Sequence, residues 1–304
     1  MTPLLPPRLR PGATIAVISP ASTPDPAALR RGIREIEKRG YRVRVGRFAG
    51  EKSDHLAGRD IDRLADLHDA FADPAVGAVF ASRGGTGCTR LLDRVDYALI
   101  RRHPKIFVGY SDLTALQLAL FARTELVSFS GPMVATNFDG GLPAFVERHF
   151  WPLLELPQPP QVVLGKPLTG AGRGAAVGRI LGGTLSILQT VIGTPYAPSF
   201  DGAILVLEDV GEEVRRIDRT LAQLRHAGIW ERIAGVVFAT WSDCTPQPAL
   251  LRTLRHYAGL LGGRPALFGL PYGHVDRTLT LPIGGMGRVD AGKGTFEILD
   301  GAVR

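Results

Sequence analysis

Cysteine is nearly absent. Cys88 and Cys244 stand far apart in 304 residues, which excludes a disulfide framework and a cysteine zinc site. Such scarcity fits a reducing, cytoplasmic compartment. Aromatic residues make up only 7%, so no row of stacking platforms for single-stranded nucleic acid stands out. No run approaches the roughly 20 apolar residues of a membrane span. The first residues, Met1 to Arg8, hold no apolar stretch of signal-peptide length. Neither His-Glu-x-x-His nor Cys-x-x-Cys occurs, so no metal and no cofactor is expected.

Charge is present in modest excess. Thirty-six basic residues against 29 acidic give a formal net charge of +7, and nucleic acid is the first partner such a balance suggests. The basic residues are scattered, however, and no helix-turn-helix, zinc or RNA-binding signature accompanies them. Neither nucleic acid nor membrane is expected as a partner. With 45% hydrophobic and 21% charged residues, the chain reads as an ordinary globular protein.

The first half alternates strand and helix patterns. Residues 14–19 form a short apolar run ended by Pro20. Asp25-Pro26 then reads as a helix start, with Leu29, Ile33 and Ile36 at helical spacing and Gly40 as the stop. Residues 41–45 alternate as a strand does, and a helix follows over Ile61, Leu64, His68 and Phe71. Residues 76–81 and 106–108 read as buried strands, each running into a loop that opens a helical segment, around 91–100 and from Leu113 onward. A further strand is expected at 126–129. This rhythm implies an α/β fold, with an N-terminal doubly wound, largely parallel sheet.

Prolines 152, 157, 159, 160 and 167 then crowd together. The expected division is an N-terminal domain over 1–150, a linker over 151–174 and a smaller C-terminal mixed α/β domain over 175–304. In that second part strands are expected at 203–207, 235–240 and 265–268, helices at 217–227 and 249–261, and a glycine-rich β tail.

Four places carry chemistry. Ser111 follows an apolar strand at a helix start, where its hydroxyl is exposed and backbone N–H groups face a developing oxyanion. Gly109 eases the turn, but Leu113 stands where a nucleophile elbow has glycine. Capping the helix is the competing role for Ser111, with Asp112 the rival cap. The run Ser82-Arg83-Gly84-Gly85-Thr86-Gly87 either cradles phosphate, donates an N–H to an oxyanion, or is a plain turn; it matches neither the P-loop nor the dinucleotide fingerprint. Glu208-Asp209 ends an apolar run, where a carboxylate orients a histidine or pairs with Arg215 or Arg216. His274 follows an apolar strand and a glycine-proline turn, a position open to proton transfer.

Together these segments resemble the LD-carboxypeptidase family of serine peptidases, which includes the muramoyltetrapeptide carboxypeptidases and the microcin C immunity peptidases. The resemblance rests on the order of the glycine run at 82–87, Gly109-Tyr110-Ser111-Asp112, Gly182-Gly183-Thr184-Leu185, Leu207-Glu208-Asp209-Val210-Gly211-Glu212 and Tyr272-Gly273-His274. It implies Ser111 as nucleophile, Glu208 as acid and His274 as base, an oxyanion hole from the Gly85 and Asp112 N–H groups, and a homodimer. The implied reaction releases a terminal D-amino acid, D-alanine from murein tetrapeptide, with Arg83 on the free carboxylate of that small peptide substrate. The alternatives are an immunity-type peptidase that cleaves an aminoacyl-nucleotide toxin, for which Trp241 is the stacking candidate, and a non-catalytic ligand-binding module. Thr86 stands where the family often has tyrosine.

Overall fold

The structure is a computed structural model that describes residues 3–158, 161–162 and 164–304. Its strands are β1 (Thr14–Ile18), β2 (Arg42–Val45), β3 (Val76–Ala81), β4 (Ile106–Gly109), β5 (Ser128–Ser130), β6 (Thr169–Ala171) and β7 (Ala175–Thr184). They continue with β8 (Ile204–Val210), β9 (Gly235–Ser242), β10 (Ala266–Phe268), β11 (Leu281–Ile283), β12 (Met286–Asp290) and β13 (Thr295–Ile298).

Two sheets result. The first runs β11-β5-β4-β3-β1-β2, and all neighbours from β5 to β2 are parallel. Its inner strands are apolar on both faces because helices cover both. At its edge β2 reads Arg-Val-Arg-Val and stays largely exposed, as a charged edge does. The second sheet runs β13-β12-β7-β8-β9-β10-β6, parallel from β7 to β10 and antiparallel toward both edges. It has seven strands to the first sheet's six.

Local signals explain several elements. The Asp25 carboxylate accepts the Ala28 N–H at 2.7 Å and caps the helix Pro26–Lys38, satisfying one orphan donor of its first turn. Phe80, Phe138, Phe150 and Trp151 pack together on the first sheet, each burial worth about 2–3 kcal/mol.

Other expectations need correction. The helix Ala144–Glu155 carries on past residue 151, with Trp151, Leu153 and Leu154 buried. Pro152 stands inside it, so the proline crowding marks a helix end rather than a linker start. Pro159 and Pro160 of that linker, like Met1 and Thr2, lie outside the described residues. The helix expected over 91–100 is a 3-10 turn, Cys88–Arg90, and a short helix, Tyr97–Arg102, capped by Asp96. The strand expected at 126–129 is Ser128–Ser130. The tail divides between the sheets: β12 and β13 join the second, while β11 pairs antiparallel with β5 in the first.

Candidate active site

Ser111 sits in the turn between β4 and the helix Leu113–Thr124. Its φ is +64°, a left-handed conformation that costs a serine roughly 1–2 kcal/mol. Its hydroxyl meets His274 Nε2 at 3.0 Å. His274 Nδ1 meets Glu208 Oε2 at 2.8 Å. A carboxylate accepts, so Nδ1 carries the proton and Nε2 presents its lone pair to the serine O–H. The Thr184 hydroxyl donates to the other Glu208 oxygen, and the His274 N–H donates to Oε2 at 3.3 Å. Glu208 is 1% exposed, and a carboxylate so deep in the fold needs such partners.

The helix-cap role for Ser111 does not hold. Asp112 occupies the cap position, and even its side chain makes no cap bond. Instead its Oδ2 accepts the Cys88 N–H at 2.8 Å. Burial raises the Asp112 carboxyl above its ordinary value, and the Cys88 hydrogen bonds and Arg63 partly oppose this. The arginine pairing for Glu208 does not hold either: Arg215 pairs with Glu213 and Arg216 with Glu212. Glu208-Asp209 lie within β8 rather than beyond it. Strand alternation sends their side chains to opposite faces. Asp209 accepts the Ser186 N–H and hydroxyl at 2.8 and 3.1 Å, and burial pushes its carboxyl up to about 6.

The glycine run lies against the serine. A Cβ added at Gly84 would stand 2.8 Å from Ser111 Cβ, so only a glycine lets the loop approach this closely. Among the described residues, no hydrogen bond takes up the Gly85 N–H or the Asp112 N–H. Arg83 is exposed, and its Nη1 donates to the Thr23 carbonyl at 3.3 Å.

This arrangement can be set beside known proteins. Residues 15–131 match the family model described as LD-carboxypeptidase N-terminal domain, and residues 177–289 match the LD-carboxypeptidase C-terminal domain. A probable murein peptide carboxypeptidase of Bacillus subtilis is 37% identical, over 96% of this chain and 93% of its own. The chain belongs to the LD-carboxypeptidase family. It is a peptidase, with Ser111 and the glycine loop in the first matched segment and Glu208 and His274 in the second. The crystal structure of a muramoyltetrapeptide carboxypeptidase from Oxalobacter formigenes superposes with a TM-score of 0.84 at 32% identity, covering 95% of this chain and 99% of that one. The microcin C7 self-immunity protein MccF shares the fold, with a TM-score of 0.90 at 24% identity over 99% of this chain and 100% of its own.

Several neighbours of the site carry no clear local signal in the sequence. In the sequence Thr184 stands only as part of the motif Gly182-Gly183-Thr184-Leu185. Its place beside Glu208 comes from the register of β7 on β8, which pairs the two residues directly. The Ser242 hydroxyl donates to the His274 carbonyl at 2.7 Å, and the Tyr110 ring meets the His274 ring edge-on at 5.1 Å. No short-range pattern signals either contact. Trp241 is 8% exposed and lines a cleft of about 490 Å³ with Leu250, Leu254 and Phe268. Among the described residues, no group of three or more His, Cys, Asp or Glu is arranged to hold a metal, and no helix is long and apolar enough to cross a membrane.

Proposed function

We propose that the chain is a serine LD-carboxypeptidase that releases the terminal D-alanine of murein tetrapeptide, with Ser111 as nucleophile, His274 as general base and Glu208 as the acid that holds the imidazole. The observation that carries this reading is the unbroken hydrogen-bonded chain from Glu208 through His274 to Ser111. The names of the Bacillus and Oxalobacter relatives support the substrate class.

Ser111 Oγ attacks the scissile carbonyl while its proton passes to His274 Nε2. The carbonyl electrons move onto oxygen, and the Gly85 and Asp112 N–H groups receive that charge. The tetrahedral centre collapses, the C–N bond breaks, and the imidazolium gives its proton to the departing D-alanine amine. Water, deprotonated by His274, then frees the acyl group. Arg83 receives the free carboxylate of the substrate. The same reading makes the enzyme a cytoplasmic homodimer; both cysteines are free and buried, in keeping with a reducing compartment. Hydrolysis of an aminoacyl-nucleotide asks for an aromatic face against the base, and Trp241, only 8% exposed, offers little of its ring to the cleft that it lines.

Incubation with L-Ala-γ-D-Glu-meso-diaminopimelate-D-Ala tests the substrate: free D-alanine is expected from the wild type and none from Ser111→Ala. Absence of release by the wild type removes the substrate, and release that survives Ser111→Ala removes the mechanism. Arg83→Ala is expected to raise KM; a normal KM removes Arg83 from the site.

A further inference from the structure

The loop over residues 82–88 is gripped along its length by side chains outside the catalytic trio. At its start the buried Ser82 and Ser19 hydroxyls share a hydrogen bond of 2.6 Å. At its end the Cys88 N–H is held by the Asp112 carboxylate. Between these points lies Ser22, in the segment after β1. Its N–H donates to the Gly84 carbonyl at 3.4 Å, and its Oγ accepts the Thr86 N–H at 3.2 Å. Those two bonds flank Gly85, and a Cβ added there would stand 2.3 Å from Ser22 Oγ.

Peptide geometry gives this arrangement a direction. A trans peptide is planar, and its C=O and N–H point opposite ways. With the Gly84 carbonyl turned onto Ser22, the Gly85 N–H of the same peptide unit is aimed away from Ser22. The next peptide unit is fixed by the Thr86 N–H on the Ser22 hydroxyl. Consecutive glycines hold no such orientation unaided, because glycine has the widest conformational freedom to lose. We infer that Ser22 is a positioning residue for the reaction: it orients the two peptide planes around Gly85 and so aims the Gly85 N–H at the oxyanion. This rests on the catalytic reading given above, and it gives an otherwise unremarked serine a part in transition-state stabilisation.

The test compares Ser22→Ala, Ser22→Thr and Ser111→Ala on the tetrapeptide. Thr86 is exposed, so water replaces the lost acceptor in Ser22→Ala and the thermal unfolding midpoint is expected to stay near that of the wild type. Ser22→Ala keeps the backbone N–H on the Gly84 carbonyl and removes only the hydroxyl that fixes the Thr86 peptide unit. The loosened plane lets the Gly85 N–H drift from the oxyanion, which costs turnover rather than substrate binding, so kcat is expected to fall about 10-fold with KM within about twofold. A boronic acid analogue of the acyl portion forms a tetrahedral adduct on the serine, and its inhibition constant is expected to weaken by the same factor. Ser22→Thr keeps the hydroxyl and is expected to retain most of the turnover. An unchanged kcat in Ser22→Ala overturns the inference, as does a loss confined to KM or an equal loss in the threonine variant. Turnover that survives Ser111→Ala instead overturns the catalytic reading itself, so the two failures are distinct.

Discussion

Gly273→Ala tests the proposed catalytic geometry without replacing Ser111, His274 or Glu208. Gly273 has φ +105°, and an added Cβ would lie 2.2 Å from Glu208 Oε2, the oxygen that holds His274 Nδ1 at 2.8 Å. The backbone conformation alone costs an alanine roughly 1–2 kcal/mol. Relief of the collision requires the carboxylate or the loop to move by about 1 Å before ordinary contact is restored. Glu208 has little room to yield, since its other oxygen is held by Thr184 and the residue is 1% exposed. The loop that moves instead is the one that carries His274. Misplacement of a reacting group by about 1 Å costs on the order of 10²-fold, and loss of an orienting acid costs on the order of 10⁴-fold. The expected kcat of Gly273→Ala therefore lies about 10²- to 10⁴-fold below the wild type. The assay is steady-state release of D-alanine, read with a coupled D-amino acid oxidase, beside circular dichroism to establish that the variant is folded. A folded Gly273→Ala with wild-type kcat refutes the reasoning, because it means that the 2.8 Å contact is not needed for turnover.

Two further outcomes are expected. Thr184→Val keeps the shape of the side chain and removes the O–H donor to Glu208. An unsatisfied buried acceptor costs about 1–3 kcal/mol, so kcat should drop roughly 10- to 100-fold while Thr184→Ser stays active; equal rates in the valine and serine variants count against this. Asp209 governs a pH effect on stability. Its folded carboxyl is raised from 3.8 to about 6, so between those values the folded state holds a proton that the unfolded chain has released. Its contribution is fully present below about pH 4 and is lost as pH rises through 6, a difference of about 3 kcal/mol at most. Thermal unfolding of Asp209→Asn from pH 4 to 7 should therefore gain on the wild type as pH rises, and parallel curves contradict the assignment.

What the sequence made legible was local. The strand over 76–81 and the helix opened by Asp25-Pro26 carry their signals within a few residues, and β3 and Pro26–Lys38 appear where those signals lie. Ser111 was readable for the same reason, as a serine between an apolar strand and a helix. The unread parts depend on contacts across the chain. β7 contains Gly178, Gly182 and Gly183, which argue against a strand when read alone. A Cβ at Gly182 would stand 2.0 Å from the Val206 carbonyl oxygen of the neighbouring strand, a reason that exists only once β8 lies beside it. The helix Ala144–Glu155 was hidden by Pro152, which reads as a breaker although tertiary packing holds the helix together. The choice between an arginine and a histidine partner for Glu208 was open in the sequence, because spacing along the chain favours Arg215 and Arg216 and only the fold brings in a residue 66 positions away.

The same long-range contacts bear on how the site stays assembled. Ser111 follows β4 of the first sheet, whereas Glu208 stands on β8 of the second, and a rocking motion between the sheets would part the serine from the histidine. The chain crosses the seam immediately after His274. β11 pairs with β5 through Leu281↔Ser130 and Ile283↔Ser128, and the Tyr272 hydroxyl meets Ser130 Oγ at 2.7 Å on the near side of the histidine. Thr184 adds a bridge from the second sheet, its N–H donating at 3.3 Å to Thr114 Oγ1 on the helix that starts beside Ser111. The His274 loop is thus fastened to the first sheet on both flanks, and β7, the neighbour of the strand that carries Glu208, is tied to the helix that starts beside Ser111. Separation of the two sheets would strain the Tyr272–Ser130 and Thr184–Thr114 bonds together, while β11 stays paired with β5.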